Sequence, residues 1–322
     1  MMEEQRIDLT GFAEKMQQLK QQIAQVIVGQ NEAVSLVLTC ILSGGHILLE
    51  GVPGTAKTLL ARLIARLIDA RFSRVQFTPD LMPSDVLGTT VFNLKTSEFD
   101  FHEGPIFADL VLVDEINRAP AKTQAALFEV MEEKQVTIDG TTHKMGDLYT
   151  ILATQNPVEQ EGTYKLPEAQ LDRFLMKIDI GYPSADEEVH ILERHQNNAQ
   201  LVKLAGISPI LTGDELLQMR ALTDSVVVDH TLLRYIAQLV QQTRSSKAVY
   251  LGASPRASVA ILQTAKASAL LQGRDFVTPD DIKFVTPAVL QHRLILTAEA
   301  EMEGYSLSKV ARKLIDKVEV PK

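Results

Sequence analysis

The segment "HILLEGVPGTAKTLLARLIARLIDA" at 46–70 constrains this chain more than any other: an apolar run, a Gly/Pro-rich turn and an amphipathic run follow one another directly. "HILLE" reads as a short strand, and Leu59, Leu60, Leu63, Ile64, Leu67 and Ile68 recur at helical spacing. Between them, "GVPGTAKT" (51–58) departs from G-x-x-x-x-G-K-[ST] only at its sixth place, where Ala56 stands for glycine. A strand that enters a helix through such a loop aims backbone N–H groups and the positive end of the helix at one point, which suits a phosphate. Gly51, Val52, Pro53, Gly54, Thr55, Ala56, Lys57, Thr58 and Leu59 are the candidate residues for it. Lys57 would reach the β and γ phosphates of a nucleotide, and the Thr58 hydroxyl would hold Mg2+. Ala56 keeps its N–H. Helical dihedrals are expected there, with Gly51 and Gly54 carrying the close approaches.

The same alternation of strand and helix continues to about Pro183. "SRVQFT" (73–78), "LVLVDE" (110–115), "YTILATQ" (149–155) and "FLMKIDI" (174–180) are short and apolar on both faces, as strands covered by helices on each side must be. The segment from Pro120 to Lys134 supplies another helix. Together they predict a mostly parallel, three-layer α/β domain. Two pieces interrupt it: "TTVFNLKTSEFDFH" (89–102) reads as two strands about a polar turn, and "VTIDGTTHKM" (136–145) carries an Asp139-Gly140 pair suited to a tight hairpin. Beyond Pro183 the pattern turns helical, in "SADEEVHILERHQ", "TGDELLQMRAL", "DHTLLRYIAQLVQQT", "SPRASVAILQTAKASALL" and "TPDDIKFVTPAVL". Several of these open on an Asp, Ser or Thr cap, and two carry Pro at the first helical position. The expected division is therefore a core over 1–183 and a helical domain over 184–322.

Composition narrows the function. A formal net charge of -9 and 5% aromatics argue against a protein that works by neutralising or stacking on nucleic acid. Cys40 is the only cysteine, which excludes an intramolecular disulfide and a Cys-based zinc site, and the seven histidines show no metal-ligand spacing. The start "MMEEQRIDLTGF" lacks a basic and then apolar leader, and no run approaches the length of a membrane span, so the cytoplasm is the expected compartment.

"LVLVDE" ends in two acids at the carboxyl end of a strand, where open α/β sheets place their ligands. Behind a phosphate loop, Asp114 would bind Mg2+ through its water shell. Glu115 would orient and deprotonate the water that attacks the γ phosphate.

Taken in order, "GVPGTAKT", "GPIFADLVLVDEINRAPAKTQAALFEVMEE", "ILATQNP", "LPEAQLDRF" and "GASPRA" resemble the MoxR family of AAA+ ATPases. The resemblance covers most of residues 26–260. It implies an αβα ATPase core with strand order 5-1-4-3-2, a separate helical lid, and a homo-oligomeric ring, a hexamer, with ATP between subunits. It further implies that Asn156 is the polar sensor at the end of the fourth core strand, that Arg173 is the arginine finger reaching a neighbour's γ phosphate, and that Arg256 is the lid's sensor arginine. Arg118 is a rival finger or an inter-subunit contact. In "IVGQ", Val28 and Gly29 resemble the loop that contacts adenine. The two interruptions match the family's inserted hairpins, although Asp100, His102 and Glu103 stand where more basic or neutral residues are expected. The function so implied is Mg2+-dependent hydrolysis of ATP to ADP and phosphate that drives maturation of, or metal insertion into, protein clients, with von Willebrand A-domain partners. A nucleotide-dependent switch or assembly scaffold and a magnesium-chelatase-like motor subunit are the alternatives.

Overall fold

The computed structural model describes residues 9–156, 164–196 and 206–321. "MMEEQRID" and Pro157 of "ILATQNP" lie outside them. The chain runs α1 (Thr10–Val26), α2 (Asn31–Leu42), β1 (Ile47–Gly51), α3 (Lys57–Leu67), β2 (Phe72–Gln76), α4 (Pro83–Leu87), β3 (Gly88–Asn93), β4 (Glu98–Glu103) and β5 (Leu110–Asp114). It continues through α5 (Ala121–Glu133), β6 (Gln135–Ile138), β7 (Thr141–Lys144), β8 (Thr150–Gln155), α6 (Glu168–Leu171) and β9 (Met176–Ile180). The rest is α7 (Ala185–Gln196), α8 (Gly213–Asp224), α9 (His230–Ser245), β10 (Val249–Leu251), α10 (Pro255–Leu271), α11 (Pro279–Leu290), β11 (Ile295–Leu296), α12 (Ala298–Met302) and α13 (Leu307–Asp316).

Five strands form one parallel sheet in the order β2-β5-β8-β1-β9, which in core-strand numbering is the expected 5-1-4-3-2. The register brings the carboxyl ends of the inner strands level: Gln76 pairs with Asp114, Glu50 with Gln155, and Gly51 with Ile180. Loops that leave those ends therefore converge on one edge of the sheet. Side chains of β1, β5 and β8 are buried on both faces, with α1, α2, α3 and the lid helices on one side and α5 on the other. Both interruptions are antiparallel hairpins, β3–β4 and β6–β7. Asp139 and Gly140 turn the second with φ of 49° and 82°, the doubly left-handed turn that matches strand twist.

The second half is helical as expected, with additions: α12 and α13 follow the five segments read from the sequence, and β10 and β11 pair antiparallel. Thr212 and Thr278 begin α8 and α11 with reciprocal capping boxes, and Asp229 caps α9. Ser254 stands at the N-cap of α10, but its hydroxyl makes no capping bond, so Pro255 at the first position does the local work of starting that helix.

Candidate active site

The loop from Gly51 to Thr58 wraps the start of α3 and lines a cleft of about 390 Å3 with Arg74, Gln76, Asp114, Glu115, Thr154, Gln155 and Asn156. Its glycines have separate reasons. Gly51 lies so close to β9 that a Cβ would meet the Ile180 carbonyl oxygen at 2.4 Å, and Gly54 has φ of 86°. Ala56 corrects the expectation made for it: its φ and ψ are 60° and 19°, left-handed rather than helical. It is the cap through which the loop turns into α3. An L-residue there carries about 1–2 kcal/mol of strain that glycine would not.

Lys57 folds back over the loop, donating to the carbonyl oxygens of Gly51 at 2.7 Å and Val52 at 2.8 Å. Burial lowers its ammonium below the ordinary lysine range, against the opposing pull of Asp114 and Glu115. An anion placed in the cleft would restore that charge.

At the ends of β5 and β8 the acids are engaged rather than loose. Asp114 is buried; its Oδ2 accepts from Arg74 Nε at 2.6 Å and its Oδ1 from the Thr154 hydroxyl at 3.1 Å. The same hydroxyl accepts from the Glu115 backbone N–H at 3.0 Å, so one threonine spaces both acids. Glu115 has left-handed dihedrals of 57° and 51°, a second non-glycine residue of this kind in the cleft. Its Oε2 accepts from Gln76 Nε2 at 2.7 Å and pairs with Arg118 Nε at 3.1 Å. Asn156 is buried one residue past β8 and faces the same cleft.

Arg74, Gln76 and Thr154 were not anticipated from the sequence. Arg74 and Gln76 are two apart on β2 and so share a face, and the expected strand order makes β2 the neighbour of β5. That combination was the available signal.

Arg173 and Arg256 do not line the cleft. Arg173 donates to the Phe128 carbonyl oxygen at 2.9 Å and pairs with Glu132 of α5. Arg256 is 76% exposed and pairs with Asp172, the residue before Arg173, at 3.5 Å. Val28 and Gly29 precede α2; Gln30, next to them, donates to the Gly181 carbonyl oxygen at 3.0 Å, one residue beyond the Ile180 that pairs with Gly51. They adjoin the start of the phosphate loop without lining the cleft itself.

Oxygen donors from Thr58 and Asp114 suit a hard cation such as Mg2+, and the loop amides with Lys57 suit a polyphosphate. A cleft lined by both sets fits a magnesium nucleotide.

Residues 46–176 match the ATPase family associated with various cellular activities (AAA), and residues 241–315 match the AAA lid domain. The uncharacterised protein YeaC of Bacillus subtilis is 46% identical over 299 residues, covering 93% of this chain and 92% of its own. Chaperone MoxR1 of Mycobacterium tuberculosis is 44% identical over 314 residues, covering 93% of this chain and 81% of its own. A crystal structure of a candidate ATPase from Cytophaga hutchinsonii superposes with a TM-score of 0.88 at 41% identity, over 98% of this chain and 97% of that one.

Proposed function

Because this chain belongs to the MoxR family of AAA+ ATPases and hydrolyses ATP, we propose that its turnover remodels partner proteins from within a ring of identical subunits. The observation that carries the ring is that Arg256 pairs with Asp172, the residue before Arg173, and that both arginines lie outside the cleft of their own subunit. Exposed Arg256 and half-buried Arg173, carried by neighbouring segments, suit the γ phosphate of a neighbour's nucleotide, and an arginine supplied in trans accelerates phosphoryl transfer by orders of magnitude. Arg118 pairs with Glu115, a residue of its own subunit's cleft, whereas Arg173 pairs with Glu132 away from it, so Arg118 fits the finger role less well.

In this reading residues 1–183 are the nucleotide-binding core and 184–322 the lid. The loop amides and Lys57 hold the phosphates, while Val28 and Gly29 contact the adenine. Thr58 and Asp114 would hold Mg2+, which would supply positive charge against the phosphates. Glu115 accepts the proton of a water that Asn156 helps to orient. The water oxygen bonds to the γ phosphorus as the bond to the ADP oxygen breaks. For this, Glu115 must leave Gln76 and Arg118, and Asp114 must leave Arg74, so the cleft alternates between a paired and a working arrangement.

The partner is a protein, in keeping with the chaperone name of the mycobacterial relative. A von Willebrand A-domain protein is the class that the family resemblance suggests, with maturation or metal insertion as the outcome. No helix among the described residues is long and apolar enough to cross a membrane, and a cytoplasmic setting belongs to this proposal.

The test is the initial rate of ATP hydrolysis per subunit against protein concentration, with Glu115→Gln as the blank. The expected rate per subunit climbs with concentration, and Glu115→Gln falls by about 100-fold or more while still binding nucleotide. A rate independent of concentration over the range in which subunits assemble would refute completion of the site by neighbours.

A further inference from the structure

The lid touches the core at one place with unusual completeness. Arg293, just past α11, is only 6% exposed, and all five of its N–H groups have acceptors. Nε donates to Asp172 Oδ1 at 2.7 Å. Nη1 donates to the carbonyl oxygens of Leu175 at 3.1 Å and Val289 at 2.6 Å, and Nη2 to those of Asp172 at 3.3 Å and Phe174 at 2.8 Å. Its neighbours add to this: His292 Nε2 meets the Phe174 carbonyl oxygen at 2.9 Å, and Gln291 donates to that of Lys177. Such a set of bonds needs a planar fork, and a lysine could not reproduce it.

The segment gripped in this way, 172–175, contains Arg173. Asp172 splits its carboxylate between two lid arginines, Oδ1 to buried Arg293 and Oδ2 to exposed Arg256. The Asp172 side chain thus ties the lid's buried anchor to the lid's exposed arginine, one residue before Arg173 of the core. We propose that Asp172 and Arg293 are positioning residues: Arg293 fixes the backbone that carries Arg173, and Asp172 holds Arg256, both for the neighbouring subunit's nucleotide. This rests on the trans reading of those two arginines. Neither Asp172 nor Arg293 lines its own subunit's cleft, so their effect on hydrolysis passes through the arginines they orient.

Mixed rings separate the two readings. A Glu115→Gln subunit lacks turnover but presents an intact arginine face; an Asp172→Asn or Arg293→Lys subunit has an intact cleft and a disordered arginine face. Each of the latter two is expected to bind a fluorescent ADP analogue as the parent does and, alone, to hydrolyse ATP at least about tenfold more slowly. Mixed in equal amounts with Glu115→Gln, half of their clefts gain a sound neighbour, and the rate per total subunit rises to about a quarter of the parent's. Arg173→Ala, mixed in the same way, tests the underlying trans reading. Rescue of Arg173→Ala without rescue of Asp172→Asn or Arg293→Lys overturns the positioning proposal alone. So does parental activity of those variants by themselves, or loss of ADP binding, which would assign the residues to the fold of their own cleft. Failure to rescue Arg173→Ala sinks the trans reading and this proposal with it.

Discussion

At the scale of single residues, Ala56 and His46 have testable consequences. Ala56→Gly separates the two conformations argued for that position. In a helical residue the change costs about 1 kcal/mol, whereas at φ of 60° relief of strain offsets the added chain entropy. Stability is therefore expected to hold or rise by up to about 1 kcal/mol, with ATP hydrolysis retained, as read from denaturant midpoints and initial rates. His46 is buried with both ring nitrogens used: Nδ1 accepts from the Ile151 N–H at 3.0 Å and Nε2 donates to the Met131 carbonyl oxygen at 3.1 Å. Only the neutral ring satisfies both. Burial lowers its pKa from 6.5 to about 4, so between these values the unfolded chain binds a proton that the folded chain refuses. The contribution is whole above pH 6.5 and is lost as pH falls toward about 4, by roughly 1.4 kcal/mol per unit within that window. His46→Gln is expected to flatten this part of the stability profile; an unchanged slope between pH 7 and 5 would assign it to other groups.

At the scale of elements, the two inserted hairpins form one unit. Phe101 of β4 stacks on His143 of β7 with centroids 4.1 Å apart, and Phe107 meets Phe101 edge-on at 5.7 Å. An aromatic pair of this kind contributes about 0.5–1.5 kcal/mol beyond burial. Phe101→Ala should therefore speed amide exchange in both hairpins by roughly 3- to 10-fold, including β6–β7, while leaving β1 and β5 protected. Exchange confined to β3–β4 would show that the hairpins move separately. The hairpins themselves were legible, because alternating strands about a polar turn are local signals. Their joining was not, since Phe101 and His143 are far apart in sequence.

At the scale of the whole molecule, lid and core share one apolar interior. Leu19, Val37, Ile41, Leu49 and Leu63 belong to the same continuous cluster as Ala257, Ile261, Leu270, Val285 and Val289. Arg220 of α8 adds polar ties across the divide, to the carbonyl oxygens of Ile41 at 2.9 Å and Asp147 at 2.8 Å and to the Thr150 hydroxyl at 3.2 Å. Lid and core are expected to unfold together, with loss of helical ellipticity and release of bound fluorescent ADP at one denaturant midpoint. Arg220→Met should shift both midpoints equally, for a loss of about 2 kcal/mol in stability, because it removes three donated bonds and takes the donor from the Asp147 carbonyl. A helical loss that precedes nucleotide release would mean that the lid folds independently.

The strand-loop-helix at 46–70 and five helices of the second half, α7 to α11, were legible in the sequence itself. Hydrophobic period, turn chemistry and caps act over a few residues, and the resemblance supplied the order in which the strands lie. The lysine of the loop and the acids ending β5 could be named for the same reason. Tertiary structure alone decided the left-handed turn at Ala56, the engagement of Glu115 by Gln76 and of Asp114 by Arg74, and the sharing of Asp172 by Arg256 and Arg293. Each of these depends on how separate segments pack, and a side chain's direction is set by its neighbours in space rather than by its neighbours in the chain.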